Sequence, residues 1–327
     1  MRAMNHPRPR KPRFRRVALP PPIRLTGRDY QILNLVSVHR FIRSSHVITL
    51  IGGSSQHLVR RLGRLYHAGL LERPPLQRLH ANEDQHISYC LSERGRKELI
   101  SQGERVFPGV PRMRPLSSGS HLGHDLRVAD VVVAVQFSAC ARGIDFRHHH
   151  DWEAFETTAG ETTLHPMKWP VRLKAHSRSS TTWVIPDAAF SIRDTANRES
   201  FLLLEVDRGT MPVARSDPFQ SSFLKKVEAY RETRNQGHLW KRWQIPGFRV
   251  LVVTETEERK KSLQAATARC FRHGTSTMFL FAVADAFLTA ADSLDSTWED
   301  CAGRSVGLIA NPPTGGESCQ SLPFPAS

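Results

Sequence analysis

The chain has 327 residues, of which 39% are hydrophobic, so it is long enough for about two domains that each own a core. It contains no apolar run near the ~18 residues of a membrane-spanning helix and no secretory signal, so we expect a cytoplasmic protein with no membrane partner. The five cysteines are far apart and include no C-x-x-C pair, which argues against a zinc site or a redox dithiol.

The net charge of +15 is concentrated in the N-terminal part. Residues 1–115 carry 22 Lys and Arg against 7 Asp and Glu, whereas residues 116–327 carry 24 of each kind. A field of one sign attracts polyanions, because phosphate contacts supply most of the non-specific affinity for nucleic acids. The N-terminal part is therefore the predicted nucleic-acid-binding part.

Residues 1–22 form the first predicted segment, a disordered basic arm. Proline is interleaved there with seven Lys and Arg, which disfavours a helix and leaves the chain extended. Such an arm can lie along a DNA groove or simply keep the protein soluble. Its position beside the basic helices described next favours DNA.

Three helices are predicted after the arm. The first begins at a capping box over Thr26–Asp29, and the second begins at Ser44 or Ser45. Gly52-Gly53 is the turn into a third helix that ends near Gly69, where a left-handed residue is favoured. Three helices in this order are typical of a helix-turn-helix scaffold that presents one helix to DNA.

The third helix has an apolar face and a basic face. Leu58, Leu62 and Leu65 recur at helical spacing and are predicted to face the core, with Val59 and Tyr66 beside them. The residues predicted on the opposite, DNA-contacting face are His57, Arg60, Arg61, Arg64 and His67. A merely solvated charged face is the alternative, and the neighbouring basic segments favour a recognition helix.

Residues 70–91 are predicted to form two short strands around a polar loop, followed by a helix after Ser92. These strands would be the wing of a winged helix-turn-helix domain. Arg73 and Arg78, in or beside the wing, are further candidates for phosphate contact. A segment rich in proline and glycine then predicts a linker, so the domain covers residues 23–115.

The second predicted domain covers residues 116–300, and residues 301–327 are predicted to be a disordered tail. Its elements are a strongly apolar helix that stops at Gly143, a strand over 144–148, a hairpin of strands 182–192 and 200–206, a helix over 217–234, a strand over 248–254, a helix over 257–272 and a strand over 277–283. Three adjacent histidines at 148–150 cannot all face one ion from a strand or turn, so we assign them no metal role.

Acidic residues stand near the ends of the two hairpin strands. Asp187 lies on the first strand, and Glu205 and Asp207 end the buried second strand. Carboxylates among apolar strands are costly to bury without a cation or hydrogen bonds. A divalent metal held by Asp187 and Glu205 is one explanation, because hard oxygen donors suit Mg²⁺, and a buried ion network is the other. Helical geometry turns Lys226 toward the hairpin and Lys225 away from it.

Pro-Asp at 186–187 and Glu-x-Asp at 205–207 resemble the core of the PD-(D/E)xK nucleases, in which two acids hold Mg²⁺ and a lysine assists the attacking water. The whole order of segments is similar to the replication-relaxation family of bacterial and plasmid proteins, from the winged helix through HDLRVAD, VIPDAAF and LLLEVDRGT to KKVEAY. The resemblance covers most of residues 25–298. It implies an α+β protein with an N-terminal winged helix-turn-helix joined to a C-terminal α/β restriction-endonuclease-like domain.

The resemblance implies a DNA-binding protein of a bacterial plasmid or mobile element that acts in replication, supercoil relaxation or mobilisation. Its implied partners are double-stranded DNA and plasmid replication or transfer proteins, and whether it acts as a monomer or a homodimer stays open. The alternative function is a Mg²⁺-dependent DNA nickase or nuclease targeted by the winged helix. A pure transcriptional regulator is a weaker third, since no ligand-pocket signature is evident.

One departure from the nuclease pattern concerns its lysine, which normally stands two residues after the second acid. Asp207 occupies that position here. Either Lys226 has taken over the role, or the site has lost cleavage and keeps only the fold. The candidate catalytic residues are Asp187, Glu205, Asp207 and Lys226, with Asp187 and Glu205 as the metal ligands and Mg²⁺ as the cofactor if the site is active.

Overall fold

The computed structural model describes residues 12–78, 86–104, 106, 119–152, 167–175, 178–217, 220–294 and 298–309. Within these ranges the chain has a mixed α+β structure. The linker boundary predicted near residue 115 falls outside them. No helix in the described part is both long and apolar enough to cross a bilayer.

The N-terminal elements surround one apolar core. They are α1 (Gly27–Val38), β1 (Ile42–Arg43), α2 (Ser44–Ile51), α3 (Ser55–His67), β2 (Leu71–Glu72), β3 (Ser88–Leu91) and α4 (Glu93–Ser101). Strand β3 pairs antiparallel with both β1 and β2, so the strands form a three-stranded sheet in the order β1-β3-β2. The core joins Leu58, Leu62 and Leu65 of α3 to residues of α1 and of this sheet.

The turn signals of this region are confirmed. Gly52 and Gly53 have φ values of 70° and 83°, and Gly69 has a φ of 80°, conformations that glycine adopts without a steric penalty. The side chain of Ser54 accepts a hydrogen bond from the His57 N–H at the start of α3. Strand β1 was not predicted, because two residues are too few to show a period.

The carboxylate of Asp29 ties α1 to α3. It accepts hydrogen bonds of 2.7 Å from both the backbone N–H and the hydroxyl of Thr26, which completes the predicted cap. Arg61 of α3 also donates two hydrogen bonds to the same carboxylate. Burial by itself raises the pKa of Asp29, but the hydrogen bonds from Arg61 and Thr26 outweigh it and hold that pKa below its usual value.

The described part of the basic arm, residues 12–22, packs against α3. Arg16 donates hydrogen bonds of 3.0 Å to the carbonyls of Tyr66 and Leu71 and pairs with Glu72 at 2.7 Å. The last carbonyls of a helix lack intrahelical partners and lie at its negative end, which explains why an arginine binds there.

The second group of elements is built on a five-stranded sheet. The helices are α5 (Gly119–Ala141), α6 (Phe223–Asn235), α7 (His238–Trp243), α8 (Glu257–Ala268) and α9 (Ala284–Thr289). The strands are β4 (Asp145–His148), β5 (Trp169–Ala175), β6 (Arg178–Val184), β7 (Ala188–Arg193), β8 (Glu199–Asp207), β9 (Arg249–Thr254) and β10 (Phe279–Val283). The sheet order is β10-β9-β8-β7-β4, and β8, β9 and β10 are parallel.

Each face of this sheet has its own core. Leu202, Leu204 and Val206 of β8 pack in a cluster with residues of α5 and α9. Leu203 packs on the other face, with residues of α6 and α8. Because side chains alternate along a strand, Glu205 lies on the same face as Leu203 and is directed toward α6.

The predicted strand 182–192 is two strands in two different sheets. Strand β6 ends at Val184 and pairs with β5, whereas β7 begins at Ala188 and pairs with β8. Pro186 lies between them, and a proline cannot donate a ladder hydrogen bond. Asp187 therefore lies where the chain passes from the two-stranded sheet into the five-stranded sheet. The six-residue helices α7 and α9 and the strand β5 were not predicted either.

Residues 301–309, the described part of the predicted tail, pack against the second group of elements. Cys301 and Leu308 are buried, and the Val306 N–H donates to the Trp298 carbonyl at 2.9 Å. The composition of the segment is polar, but its few apolar side chains fill the core beside α5 and α9. Residues 310–327 lie outside the described ranges.

The N-terminal elements contact the second group through a partly buried acid. Asp130 of α5 pairs with Arg43, and His46 Nε2 lies 2.8 Å from its Oδ1. Burial raises the pKa of Asp130, but the hydrogen bonds and charges of His46 and Arg43 lower it further than burial raises it. Helix α2, which precedes α3, is thereby held against α5.

The Asp29→Ala variant should lose about 2–3 kcal/mol of unfolding free energy, because it removes a helix cap and hydrogen bonds to a charged group. Since the folded-state pKa of Asp29 is depressed, the difference from wild type should persist from pH 8 to about pH 4. It should shrink only as the pH falls below 3.8 through the lower folded value. Urea unfolding measures the difference.

Glu93→Ala is the matched control, because Glu93 forms a surface ion pair with Arg96 and its side chain is 64% exposed. Its loss should stay below about 1 kcal/mol. Equal losses for the two variants would show that Asp29 contributes no more than a surface carboxylate.

Candidate functional site

Glu205 is the centre of the predicted acidic site and is almost fully buried. Its Oε2 accepts a hydrogen bond of 2.5 Å from Lys226 Nζ, and its Oε1 accepts one of 2.6 Å from the Tyr230 hydroxyl. Lys226 and Tyr230 stand four residues apart on α6 and so share one face of that helix. The predicted position of Lys226, with its side chain directed toward the hairpin, is confirmed.

The charges of this cluster depend on each other. Burial raises the pKa of Glu205, the positive charge of Lys226 opposes that shift, and the nearby charge of Asp187 adds to it. Burial also lowers the pKa of Lys226, but the attraction of Glu205 outweighs it and raises that pKa overall. Burial followed by the charge of Glu205 raises the pKa of Tyr230 well above its usual value, so its hydroxyl stays a donor.

Asp187 joins β7, β8 and α5. Its Oδ2 accepts a hydrogen bond of 2.8 Å from the Val206 N–H, and its Oδ1 lies 3.1 Å from His124 Nε2. The hydrogen bond with Asp187 raises the pKa of His124, although burial opposes it. The charge of Asp187 thus acts on Glu205, but the oxygens of Asp187 are bound to the Val206 N–H and to His124.

Asp207 does not join the other two acids. Its carboxylate accepts hydrogen bonds of 2.7 Å and 3.0 Å from the Arg259 guanidinium of α8 and one of 3.1 Å from the Gly209 N–H. Arg259 also donates to the Met211 carbonyl. Asp207, a candidate catalytic residue in the sequence, is therefore held apart from Asp187 and Glu205 by a bidentate pair with an arginine distant in sequence.

A metal site does not fit this arrangement. Among the residues that the structure describes, no three His, Cys, Asp or Glu side chains are grouped closely enough to hold an ion. Every carboxylate oxygen of Asp187 and Glu205 already has a partner in the chain. A Mg²⁺ ion would compete with the positive charge of Lys226 and with His124 at these oxygens, so we derive no metal-dependent step from this geometry.

The adjacent histidines lie near this region and are neutral. His148 and His150 stack with ring centroids 5.3 Å apart, and His149 Nδ1 lies 3.2 Å from the Ala189 carbonyl oxygen. Burial lowers the pKa of His149 and of His150 to about 4. These rings pack against the edge of the main sheet and carry no charge at pH 7.

The predicted DNA-contacting residues of α3 divide into two groups. His57, Arg60 and Arg64 are exposed, and none of the three forms an ion pair with another described residue. Arg61 is instead bound to Asp29. His67 is buried, so the prediction that it lies on the exposed face was wrong; its Nδ1 accepts from the Val17 N–H at 3.3 Å, and the arm covers it.

Val59 is another misplaced residue of α3, since it is 44% exposed and not part of the core. Helical spacing places its side chain at the margin of the core face, beside Leu62 and Tyr66. The core face of α3 is therefore narrower than predicted.

Arg73 and Arg78 hold the basic arm. The Arg73 guanidinium lies over the Tyr66 ring at 4.2 Å and donates to the carbonyl of Arg13. Arg78 donates to the carbonyl of Phe14 at 2.8 Å. Both arginines thus bind protein groups in this structure, and they bring Arg13 of the arm beside the end of α3.

Sequence reasoning missed two partners of the acids. The Tyr230 hydroxyl could have been predicted as a partner, because its spacing of four residues from Lys226 places it on the same face of α6. His124 begins the HDLRVAD segment of the family resemblance, but its contact with Asp187 could not be predicted, since it depends on how α5 crosses the sheet.

A family model described as replication-relaxation matches residues 33–246, which is more than half of the chain. The chain belongs to the replication-relaxation family. The matched range includes α3, Asp187, Glu205 and Lys226. Membership supports a replication-related role for a plasmid or mobile element. Searches of curated proteins and of solved structures found no match to this replication-relaxation protein.

Replacing Lys226 by Met should destabilise this replication-relaxation protein by about 2–4 kcal/mol at pH 8, because the buried Glu205 carboxylate would lose its counter-charge. The loss should be smaller at pH 5. Without Lys226 the folded-state pKa of Glu205 rises further above its usual 4.5, so stability falls as the pH rises from that value. Urea unfolding at the two pH values measures this difference.

Lys241→Met is the control, since Lys241 is an exposed residue of α7. It should change stability by less than about 0.5 kcal/mol at either pH. Adding Glu205→Gln to Lys226→Met should remove the pH dependence. A loss that is the same at pH 5 and pH 8 would contradict the assignment of the effect to the Glu205 charge.

Proposed function

We propose that this replication-relaxation protein binds double-stranded DNA through a winged helix-turn-helix domain, residues 23–115, with α3 as the recognition helix. The observation that carries the proposal is the exposed face of α3, where Arg60 and Arg64 have no ion-pair partner in the described structure. The opposite face is sealed in the core by Leu58, Leu62 and Leu65. The basic face is therefore available to phosphates and base edges.

The neighbouring elements support this orientation. Helix α2, the Gly52-Gly53 turn and α3 follow the helix-turn-helix order. Strands β2 and β3 follow α3 in the chain and pair antiparallel, as the strands of a wing do. Helix α3 has 13 residues and is about 20 Å long, a size that the major groove of B-DNA admits. The arm, held by Arg73 and Arg78, adds the charge of Arg13 beside it.

For residues 116–300 we propose a restriction-endonuclease-like fold that serves in docking. The order α5, β4, β7, β8, α6 and β9, with Asp187 and Glu205 on neighbouring strands, supports the resemblance. The ion pairs of Glu205 and Asp207 support a structural role for these acids. This part would dock DNA or a replication or transfer protein of the same plasmid, in the cytoplasm.

The Arg60→Ala/Arg64→Ala variant should bind duplex DNA more weakly by about 2–6 kcal/mol, because each lost phosphate or base contact is worth about 1–3 kcal/mol. A gel-shift titration at moderate salt measures the change. Arg269→Ala/Arg272→Ala is the matched control, a pair of exposed arginines just beyond α8. Equal affinity of wild type and the α3 variant would refute the recognition-helix proposal.

Metal-dependent DNA cleavage is the second candidate function. It is favoured by one observation: Lys226 Nζ lies 2.5 Å from Glu205, and Asp187 lies directly before the neighbouring strand β7, so a displaced nuclease lysine would have both acids near it. Cleavage would need Lys226 to leave Glu205 so that a cation could bind both carboxylates. A cavity of about 180 Å³ beside Glu205 and Lys226 offers room for water but is already bordered by the ion pair.

We expect no Mg²⁺- or Mn²⁺-dependent nicking of supercoiled plasmid by the wild-type protein, because the carboxylate oxygens are already occupied. Agarose-gel separation of supercoiled, nicked and linear forms measures it, with Asp187→Ala as the control preparation. Nicking by wild type that Asp187→Ala abolishes, with gel-shift affinity intact, would establish the second candidate in place of the docking role.

A further inference from the structure

The β5–β6 ribbon is a two-stranded antiparallel sheet separate from the main sheet. Its register pairs Pro170 with Trp183, Arg172 with Thr181 and Lys174 with Ser179, and all six of these residues are exposed. Val171 and Leu173 alternate with them and lie in the core with α6. The ribbon therefore has a buried inner face and a solvent-exposed outer face.

The outer face is basic although the second half of the chain is neutral overall. Residues 162–186 contain four Lys and Arg and no Asp or Glu. None of Lys168, Arg172 and Lys174 forms an ion pair within the described ranges. Arg172 and Lys174 border a groove at one margin of the ribbon, which Glu228 and Glu232 of α6 also line. The six paired residues of the outer face include no carboxylate, so the two glutamates border this face and do not lie on it.

Trp183 lies on this basic face and is 56% exposed. Lys168 Nζ lies 4.4 Å from the centre of its ring, so the indole is held in a cation–π contact. A large exposed aromatic ring next to lysines and an arginine matches how proteins bind unpaired nucleic acid. There, cations follow the phosphates and an aromatic ring stacks on a base.

We propose that the outer face of the β5–β6 ribbon binds single-stranded DNA, with Arg172 and Lys174 at phosphates and Trp183 stacked on a base. Duplex DNA is the poorer ligand for this face, because paired bases stack on each other and offer only their edges. The proposal goes beyond duplex binding by α3, since it uses a different surface and a different feature of DNA. Either site can fail without the other.

The first test measures binding of a fluorescent dT oligonucleotide of about 15 nucleotides to the full-length protein by anisotropy. Trp183→Ala should raise the Kd at least about fivefold, the lower end of what one lost base stack costs, whereas Trp183→Phe should retain most of the affinity. Trp240→Ala is the matched control, because Trp240 of α7 is 52% exposed and lies off the ribbon.

The second test concerns the phosphates. Arg172→Gln/Lys174→Gln should flatten the dependence of log Kd on log salt concentration by about 0.7 for each lost phosphate contact. Lys261→Gln/Arg269→Gln, at exposed positions of and just beyond α8, should leave the slope unchanged. Circular dichroism of every variant should match wild type, since the substituted side chains are exposed.

Three results would overturn the proposal. The first is an unchanged Kd of Trp183→Ala for the oligonucleotide. The second is an equal loss in Trp240→Ala, which would mean that any exposed tryptophan has the same effect. The third is a loss of duplex affinity in Trp183→Ala that equals its loss of oligonucleotide affinity, which would make the ribbon a surface for duplex DNA. Loss of oligonucleotide binding in Trp183→Ala alone, with duplex affinity intact, is the expected outcome.

Discussion

The burial of the Glu205 carboxylate is the constraint around which the second half of the molecule is arranged. An acid inside an apolar core is tolerable only if donors reach both of its oxygens, and Lys226 and Tyr230 supply them from one face of α6. That requirement fixes the rotation of α6 against β8. Because the same helix packs on the inner face of the β5–β6 ribbon, the ribbon takes its position from this helix as well.

The N-terminal elements show the same principle at smaller scale. Asp29 links the start of α1 to α3 through Arg61, and Asp130 links α2 to α5 through Arg43 and His46. In both cases one acid, buried at Asp29 and partly buried at Asp130, holds two elements that are far apart in sequence. Arg61 is thus committed to the fold, which leaves Arg60 and Arg64 as the free cations of α3.

The sequence predicted local features well and long-range partners poorly. The cap at Thr26 and Asp29 and the turn at Gly52-Gly53 were predictable, because their physics lies within a few residues. The bidentate partner of Asp207 was not predictable, since Arg259 lies 52 residues away and is brought to Asp207 by the packing of β9 and α8. The break at Pro186 was visible in the sequence, but its meaning, a change of sheet, depends on which strands pair afterwards.

The segment around Glu299 has a consequence for how these molecules behave at high concentration. Strand β10 is the outermost strand of the main sheet and consists of the apolar run FLFAV. Glu299 exchanges backbone hydrogen bonds of 2.7 Å and 3.0 Å with Phe281 and so occupies part of that free edge. An uncovered apolar edge invites pairing with the sheet of another molecule. The chain after α9 therefore protects the protein against edge-to-edge aggregation.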